Sequence, residues 1–255
     1  MADHPDIRQS IPERPADIVA TRRRHALIGL PLALAILAGW VSLHVFAVFF
    51  YSWQPLPWLT APLLAALICW LYVGLFIVAH DCMHGSLVPG WPALNRRIGQ
   101  FCLVLYAGFD FDKLNRCHHM HHRHAGTAGD PDFDERPPHG FFRWYLKFLV
   151  EYFSWRQMLF MAVVGNVYMY ALGANLANLV VFWAVPAVLS SMQLFLFGTY
   201  LPHKPRADTF TDRHRTRSTK FGWWLSLITC FHFGYHHEHH EHPDLPWWRL
   251  PEAHR

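Results

Sequence analysis

The sequence predicts an all-α integral membrane protein in which four transmembrane helices form two hairpins beneath a cytoplasmic, histidine-rich di-metal cap. Three observations lead there. Hydrophobic residues make up 53% of the 255-residue chain and charged residues only 16%, against roughly a quarter charged in soluble domains, so lipid is the expected solvent for much of it. Two long stretches, 25–79 and 157–203, contain no Asp, Glu, Lys or Arg. Ten of the 20 histidines are concentrated in three short boxes outside those stretches.

In chain order, residues 1–24 are expected to be a flexible cytoplasmic arm ending in Arg22, Arg23 and Arg24. The first uncharged stretch is split by a Pro- and Trp-rich break at Ser52–Trp58 into spans at about 26–50 and 58–79. The second is split at Gly173-Ala174-Asn175 into spans at about 157–173 and 175–198. Each piece is long enough, because about twenty residues at a 1.5 Å rise cross a hydrocarbon core of roughly 30 Å. Apolar segments at about 98–109 and 221–233 are too short to cross and are expected to be re-entrant or interfacial. The first stretch starts too late and runs too long to be the apolar core of a cleaved signal peptide. Both hairpin tips lack charge, so the positive-inside rule puts the N-terminus, 80–156 and 199–255 in the cytoplasm. The whole chain, 1–255, reads as one domain in a bacterial cytoplasmic membrane.

The net charge of +4 is spread over tails and loops, and no basic run alternates with exposed aromatics, so a nucleic-acid groove is excluded. Cys69, Cys82, Cys102, Cys117 and Cys230 form no CxxC pair and are odd in number. Reduced packing residues are expected, not a disulfide framework or a thiolate zinc site.

The boxes are His80-Asp81-Cys82-Met83-His84, His118-His119-Met120-His121-His122 and His236-His237-Glu238-His239-His240. On a helix, residues i, i+3 and i+4 share one face about 5–6 Å apart, close enough for imidazoles to converge on metal. The candidate ligands are therefore His80, His84, His118, His121, His122, His236, His239 and His240, more than one tetrahedral site uses. His203, at the cytoplasmic end of the fourth span, is a ninth candidate, and His232 ranks below it. His119, His237 and His242 fall off the ligand face, and His124 is a possible further ligand. Asp81, Asp130 and Glu238, with Asp132 and Asp244, stand close enough in sequence to accept a second imidazole N–H; a plain turn is the competing reading of Asp130-Pro131-Asp132. His4, His25, His44, His139, His214 and His254 read as surface or hydrogen-bonded residues. Ligand type alone leaves iron, zinc, copper and nickel open.

These boxes, in this order between membrane hairpins, resemble the membrane fatty-acid desaturase and hydroxylase superfamily from about residue 26 onward. Within it, HDCMHG at 80–85, HHMHHRHAGTAGDPDF at 118–133, GTYLPH at 198–203 and LITCFHFGYHHEHHEHPDLPWWRLP at 227–251 are similar to bacterial carotenoid beta-ring 4-ketolases. The resemblance implies two non-haem Fe ions, O2 as co-substrate, a ferredoxin-type electron donor and a carotenoid substrate held in the bilayer. It also implies two successive C4 hydroxylations and loss of water. That route takes beta-carotene through echinenone to canthaxanthin, and hydroxylated rings such as those of zeaxanthin towards astaxanthin. No catalytic side chain beyond the metal ligands is expected. Phe109, Phe111, Tyr200, Phe231 and Trp223 flank the boxes as candidates to line the substrate's path, with ordinary packing the expectation for any single one. The rival readings are a fatty acyl or sphingolipid desaturase or hydroxylase with the same metal site, and a membrane metal transporter. Against the transporter, such proteins place polar ligands near the bilayer midplane, and both hairpins here are nearly free of histidine. Oligomeric state has no signature in the sequence.

Overall fold

The computed structural model describes residues 15–54, 56–205, 210 and 212–254, and among these there are helices and loops but no strand. Helix α1, Pro15–Val45, closes in a π-helical turn at Phe46–Phe50. The segment 15–24, expected as part of a flexible arm, is instead the start of this helix. Pro15 sits in the first turn, where a missing N–H costs nothing, and no breaker follows before Gly29. The remainder of that arm, 1–14, and His4 with it, lies outside the described residues.

Helix α2, Pro57–His84, runs unbroken through the first histidine box and stops at Gly85, whose positive φ of 69° ends the helix. At 1.5 Å per residue its 28 residues reach about 42 Å, beyond the roughly 30 Å of a hydrocarbon core. The surplus of about two turns carries His80 and His84 at the C-terminal end of one continuous helix.

Helices α3, Pro92–Ala107, and α4, Phe111–His124, follow. The side-chain amide of Gln100 clasps their junction, donating to Phe109 O and accepting from Phe111 N–H, each at 3.0 Å. Asp110 caps α4 by accepting the Lys113 N–H at 2.6 Å. The apolar segment expected at 98–109 is thus the second half of a longer, amphipathic helix.

After α5, Phe141–Tyr152, a Ser154/Gln157 capping box starts α6, Trp155–Asn166, which ends in a π turn at Val167–Ala171. Helix α7, Leu176–His203, contains further π turns at Val180–Ala184 and Leu196–Tyr200. Among the described residues, three helices are long and apolar enough to cross a membrane: Val19–Phe50, Pro57–His84 and Leu176–His203. The segment expected as a span at 157–173 forms α6 and its π turn, which begin and end two residues earlier and are shorter than those three helices. Met158, Leu159, Val163, Val167 and Tyr170 stand exposed along it, an apolar surface suited to lipid.

Asn178 ties the two hairpin tips together, accepting Trp53 Nε1–H at 2.8 Å and donating to Val48 O and Tyr51 O. The core between α1, α2, α3 and α7 is built from Trp40, Tyr72, Leu75, Leu103, Tyr106 and Phe182. His44 departs from its expected surface or hydrogen-bonded role. It is buried, stacked on Trp40 at 4.6 Å, and neither ring nitrogen has a partner.

Past α7 the chain forms α8, Trp223–Cys230, in place of the expected 221–233 segment. It then turns through Phe231 and His232, both left-handed with φ of 48° and 62°, into α9, His236–Glu241. A 3-10 turn, Trp247–Arg249, and α10, Leu250–Ala253, complete it. The reversal at Phe231-His232 aims the third box back at the other two.

Candidate metal centre

All nine candidate histidines are brought together, and they sort into two groups. His80 and His84 of α2, His118 and His122 of α4, and His239 of α9 form one; His121 of α4, His203 at the end of α7, and His236 and His240 of α9 form the other. Within each group the ligand atoms lie within 4.8 Å of one another. The groups abut where the His122 ring stacks on His240, centroids 4.1 Å apart.

The nitrogens of these rings face one another without enough protons between them. Nε2 pairs stand at 2.7 Å for His84 and His118, 3.1 Å for His118 and His122, and 3.0 Å for His122 and His239. The other group repeats this, with His203–His236 and His236–His240 both at 3.1 Å. A ring nitrogen carries either a proton or a lone pair, so His118, His122 and His236, each facing two neighbours, cannot satisfy both by hydrogen bonding. His80 Nε2 and His121 Nε2 are buried with no partner at all. A cation in each group resolves the conflict, since every lone pair can point at it, and the residues present therefore fit a pair of metal ions.

The far sides of two rings are fixed. His121 Nδ1–H donates to Asp130 Oδ1 at 2.9 Å, and His203 Nδ1–H donates to the Arg215 carbonyl at 3.0 Å. Each turns its Nε2 lone pair into the group. Burial first, and then neighbouring imidazoles, hold His118, His236, His239 and His240 well below the usual histidine range and bring His122 to about 2. All are then neutral, the form that binds metal. In His121 burial pulls the same way, but the Asp130 charge and hydrogen bond overrule it and the pKa rises.

Asp130-Pro131-Asp132 is both a turn and a support. Asp130 accepts its own Asp132 N–H at 2.8 Å and the Gly126 N–H at 2.9 Å while holding His121. Burial would raise its carboxyl, yet the His121 charge and these hydrogen bonds hold it low. Asp132 goes the other way, to about 6, mainly through burial, and the Tyr152 hydroxyl donates to it. Tyr152 was not legible as a site residue, because only the fold of α5 onto this loop brings it near.

Other candidates fall outside the groups. Asp81 stands 3.8 Å from His80 Nδ1 and accepts the Trp247 N–H at 3.1 Å, tying the C-terminal turn to α2. Glu238 accepts from His254 Nδ1 at 2.6 Å and from Ser218, and meets no box imidazole. Exposed His124 packs on Gly129, and buried His232 lies along Tyr235. His119 stacks on His84 while His237 faces Asp212 and Glu241.

A partly open cavity reaches both groups, touching His80 and His118 of one and His121 and His236 of the other. Its walls are chiefly apolar, among them Phe76, Tyr106, Phe109, Phe148, Leu194 and Phe233. Of the aromatics expected near the substrate's path, only Phe109 lines it. Phe111 packs under Gly99, Phe231 stacks on Trp70, Tyr200 meets Phe141, and Trp223 stands half exposed against Trp224. Phe233 was embedded in the third sequence block but gave no signal apart from that position.

The fatty acid desaturase family model matches residues 53–165 and 151–255. The chain therefore belongs to the fatty acid desaturase family, and it is an oxidoreductase. It is 53% identical over 228 residues to the beta-carotene ketolase of Paracoccus sp. (strain PC1), covering 89% of this chain and 92% of that one. The beta-carotene ketolase of Paracoccus sp. (strain N81106 / MBIC 01143) is 50% identical over 239 residues, 93% and 94% of the two chains. The zeaxanthin 4-ketolase of Chlamydomonas reinhardtii is 37% identical over 244 residues, 90% of this chain and 54% of that longer protein.

Proposed function

We propose that the chain is an O2-dependent, di-iron carotenoid 4-ketolase converting beta-ionone rings to 4-keto rings. The observation that carries this is an apolar cavity ending at two abutting groups of imidazoles. An elongated hydrocarbon dissolved in the bilayer fits such a path, and the names of the relatives supply the carotenoid. His80, His84, His118, His122 and His239 would hold one iron, and His121, His203, His236 and His240 the other.

When bound, the iron pair supplies O2 reduction, drawing two electrons per hydroxylation from a ferredoxin-type donor. The protein's own part is orientation and exclusion of water. Phe76, Phe109 and Phe233 confine the ring end beside both groups, and Asp130 holds His121 against rotation. Each hydroxylation combines a C4–H bond, O2, two electrons and two protons into an alcohol and water. The second, at the same carbon, gives a gem-diol that loses water to the ketone. Beta-carotene would pass through echinenone to canthaxanthin; the zeaxanthin 4-ketolase among the relatives extends the proposal to hydroxylated rings and astaxanthin. We place the chain as a single domain in the bacterial cytoplasmic membrane, with α6 and its π turn as a fourth span and both termini and the metal centre on the cytoplasmic side.

Expression in a host accumulating beta-carotene is the test. New keto-carotenoids on chromatography, with iron in the purified protein, are expected, and His121→Ala or His239→Ala abolishes them without loss of membrane insertion. Altered acyl chains in a host without carotenoids, and no keto product in the first, would point instead to a lipid desaturase.

A further inference from the structure

The proposed reaction needs two hydroxylations at one carbon, and the first turns an apolar ring into one that carries an O–H inside an apolar wall. Burying a hydroxyl without a partner is costly, so a purely apolar cavity would expel the alcohol before the second cycle. Among the described residues, four hydroxyls line the cavity, those of Tyr106, Tyr152, Ser191 and Thr199. Three are already engaged. Tyr106 pairs with Ser190 Oγ at 2.9 Å, Ser191 donates to the Val188 carbonyl at 2.8 Å, and Tyr152 donates to Asp132. The other Asp132 oxygen stands 3.8 Å from His121 Nδ1.

Thr199 is different. It is only 5% exposed, and its hydroxyl makes no hydrogen bond to any described residue. Other helical threonines turn back on their own backbone, the usual refuge of such a side chain: Thr60 donates to Leu56 O at 3.2 Å and Thr229 to Leu225 O at 2.7 Å. Thr199 sits inside the π turn Leu196–Tyr200, where the extra residue disturbs the ordinary i to i−4 alignment, and such turns recur at functional sites. His203 of the second group follows four residues later on the same helix. A buried hydroxyl on the cavity wall, beside the histidines and without a protein partner, is placed to meet a polar group of the substrate.

We infer that the Thr199 hydroxyl holds the C4 alcohol formed in the first hydroxylation, so that the same carbon is oxidised again before the ring departs. This rests on the ketolase reading above. Thr199 O–H donates to the alcohol oxygen, which fixes the ring and leaves the one remaining C4–H turned towards the histidine groups. The second cycle combines that C4–H bond with O2, two electrons from the donor and two protons, giving the gem-diol and water; loss of a second water gives the ketone. Thr199 thereby sets how far the oxidation runs, a choice between alcohol and ketone that the metal ligands alone do not make.

The test compares Thr199→Val, which keeps the shape and removes the hydroxyl, with Thr199→Ser, which keeps the hydroxyl. In a host accumulating beta-carotene, the ratio of 4-hydroxy to 4-keto product is expected to rise about fivefold in Thr199→Val and to stay at the wild-type value in Thr199→Ser. Fivefold is the change that one hydrogen bond of ~1 kcal/mol makes, at about 1.4 kcal/mol per tenfold. Poor insertion lowers both products together and leaves their ratio alone. Binding to the full chain in nanodiscs, without reductant and read from the induced circular dichroism of the polyene, is the second measurement. Thr199→Val is expected to lose about fivefold in its preference for 4-hydroxy-beta-carotene over beta-carotene. Should it fail to insert, Thr199→Ala removes the hydroxyl with the same expectation. A wild-type value of either the ratio or the preference in the hydroxyl-free variant overturns the proposal, as does a serine variant that behaves like the valine one. If wild-type protein yields no keto product, the ketolase reading fails, and the binding comparison still decides whether Thr199 meets the alcohol.

Discussion

Asp130 shows how much one carboxylate can be asked to do. It closes its own turn, receives two backbone N–H groups and fixes the tautomer of His121. Asp130→Asn keeps the shape but removes the charge, and loss of such an orienting partner costs about 10–100-fold in metal affinity. Chelator competition on the purified variant should show that drop with helical content unchanged; wild-type affinity would mean His121 needs no anchor. His232 offers a different check. Burial lowers its pKa to about 4 from an unfolded value of 6.5. Between those two pH values the unfolded chain binds a proton that the folded chain refuses, so its contribution to stability is complete above pH 6.5 and fades as pH falls towards 4. His232→Asn, which tolerates the left-handed backbone at φ 62°, should lose less Tm than wild type over that window. Parallel melting curves would remove His232 from the account.

At the scale of elements, the contact between α7 and the turn before α9 is the least forgiving. A Cβ at Gly198 would lie 2.5 Å from Phe233 Cε1. Phe233 in turn packs on His80, His236 and His239 with centroids 4.7, 5.0 and 5.6 Å away. Gly198→Ala should therefore cost about 1–3 kcal/mol through overpacking, lower Tm and disturb both groups. Gly198→Ala/Phe233→Leu should recover much of the loss in thermal melts and iron content; no recovery would mean that strain lies elsewhere. The boxes were legible because spacing on a helix dictates which side chains share a face, and His118, His121 and His122 needed nothing more. Which histidines share a group was not legible, since α4 and α9 each serve both and the allotment depends on how three helices cross. The first two spans were legible from absence of charge over 25–79. The helix expected at 157–173 runs over 155–171, two residues earlier at each end, because apolarity marks the segment but the Ser154/Gln157 capping box sets where it starts. The buried, unpartnered His44 and the Asp132–Tyr152 pair depend on packing between distant segments.

Across the whole molecule, the histidine groups form where four helices from both halves of the chain meet. α2 arrives from the first hairpin, α7 from the second, and α4 and α9 close over them, with the segment 212–219 joined to His203 through the Arg215 carbonyl. Burying unsatisfied imidazole nitrogens is costly, so without cations these pieces are held together against a substantial penalty. Chelation of bound metal should lower Tm and open protease sites near 118–132 and 212–242 while the segments 25–50 and 57–79 remain protected. Uniform protection before and after chelation would show that the cap stands on its own packing.

The interleaving of the two groups on shared helices makes loading a collective event. His121 lies between His118 and His122 in chain order but serves the other group, and His239 is likewise flanked by His236 and His240. An ion that settles the rotamers of one set also straightens the short helices that present the other, so the second arrives at a prepared berth. Titration followed by native mass spectrometry should then find molecules carrying none or both, with singly occupied ones scarce throughout.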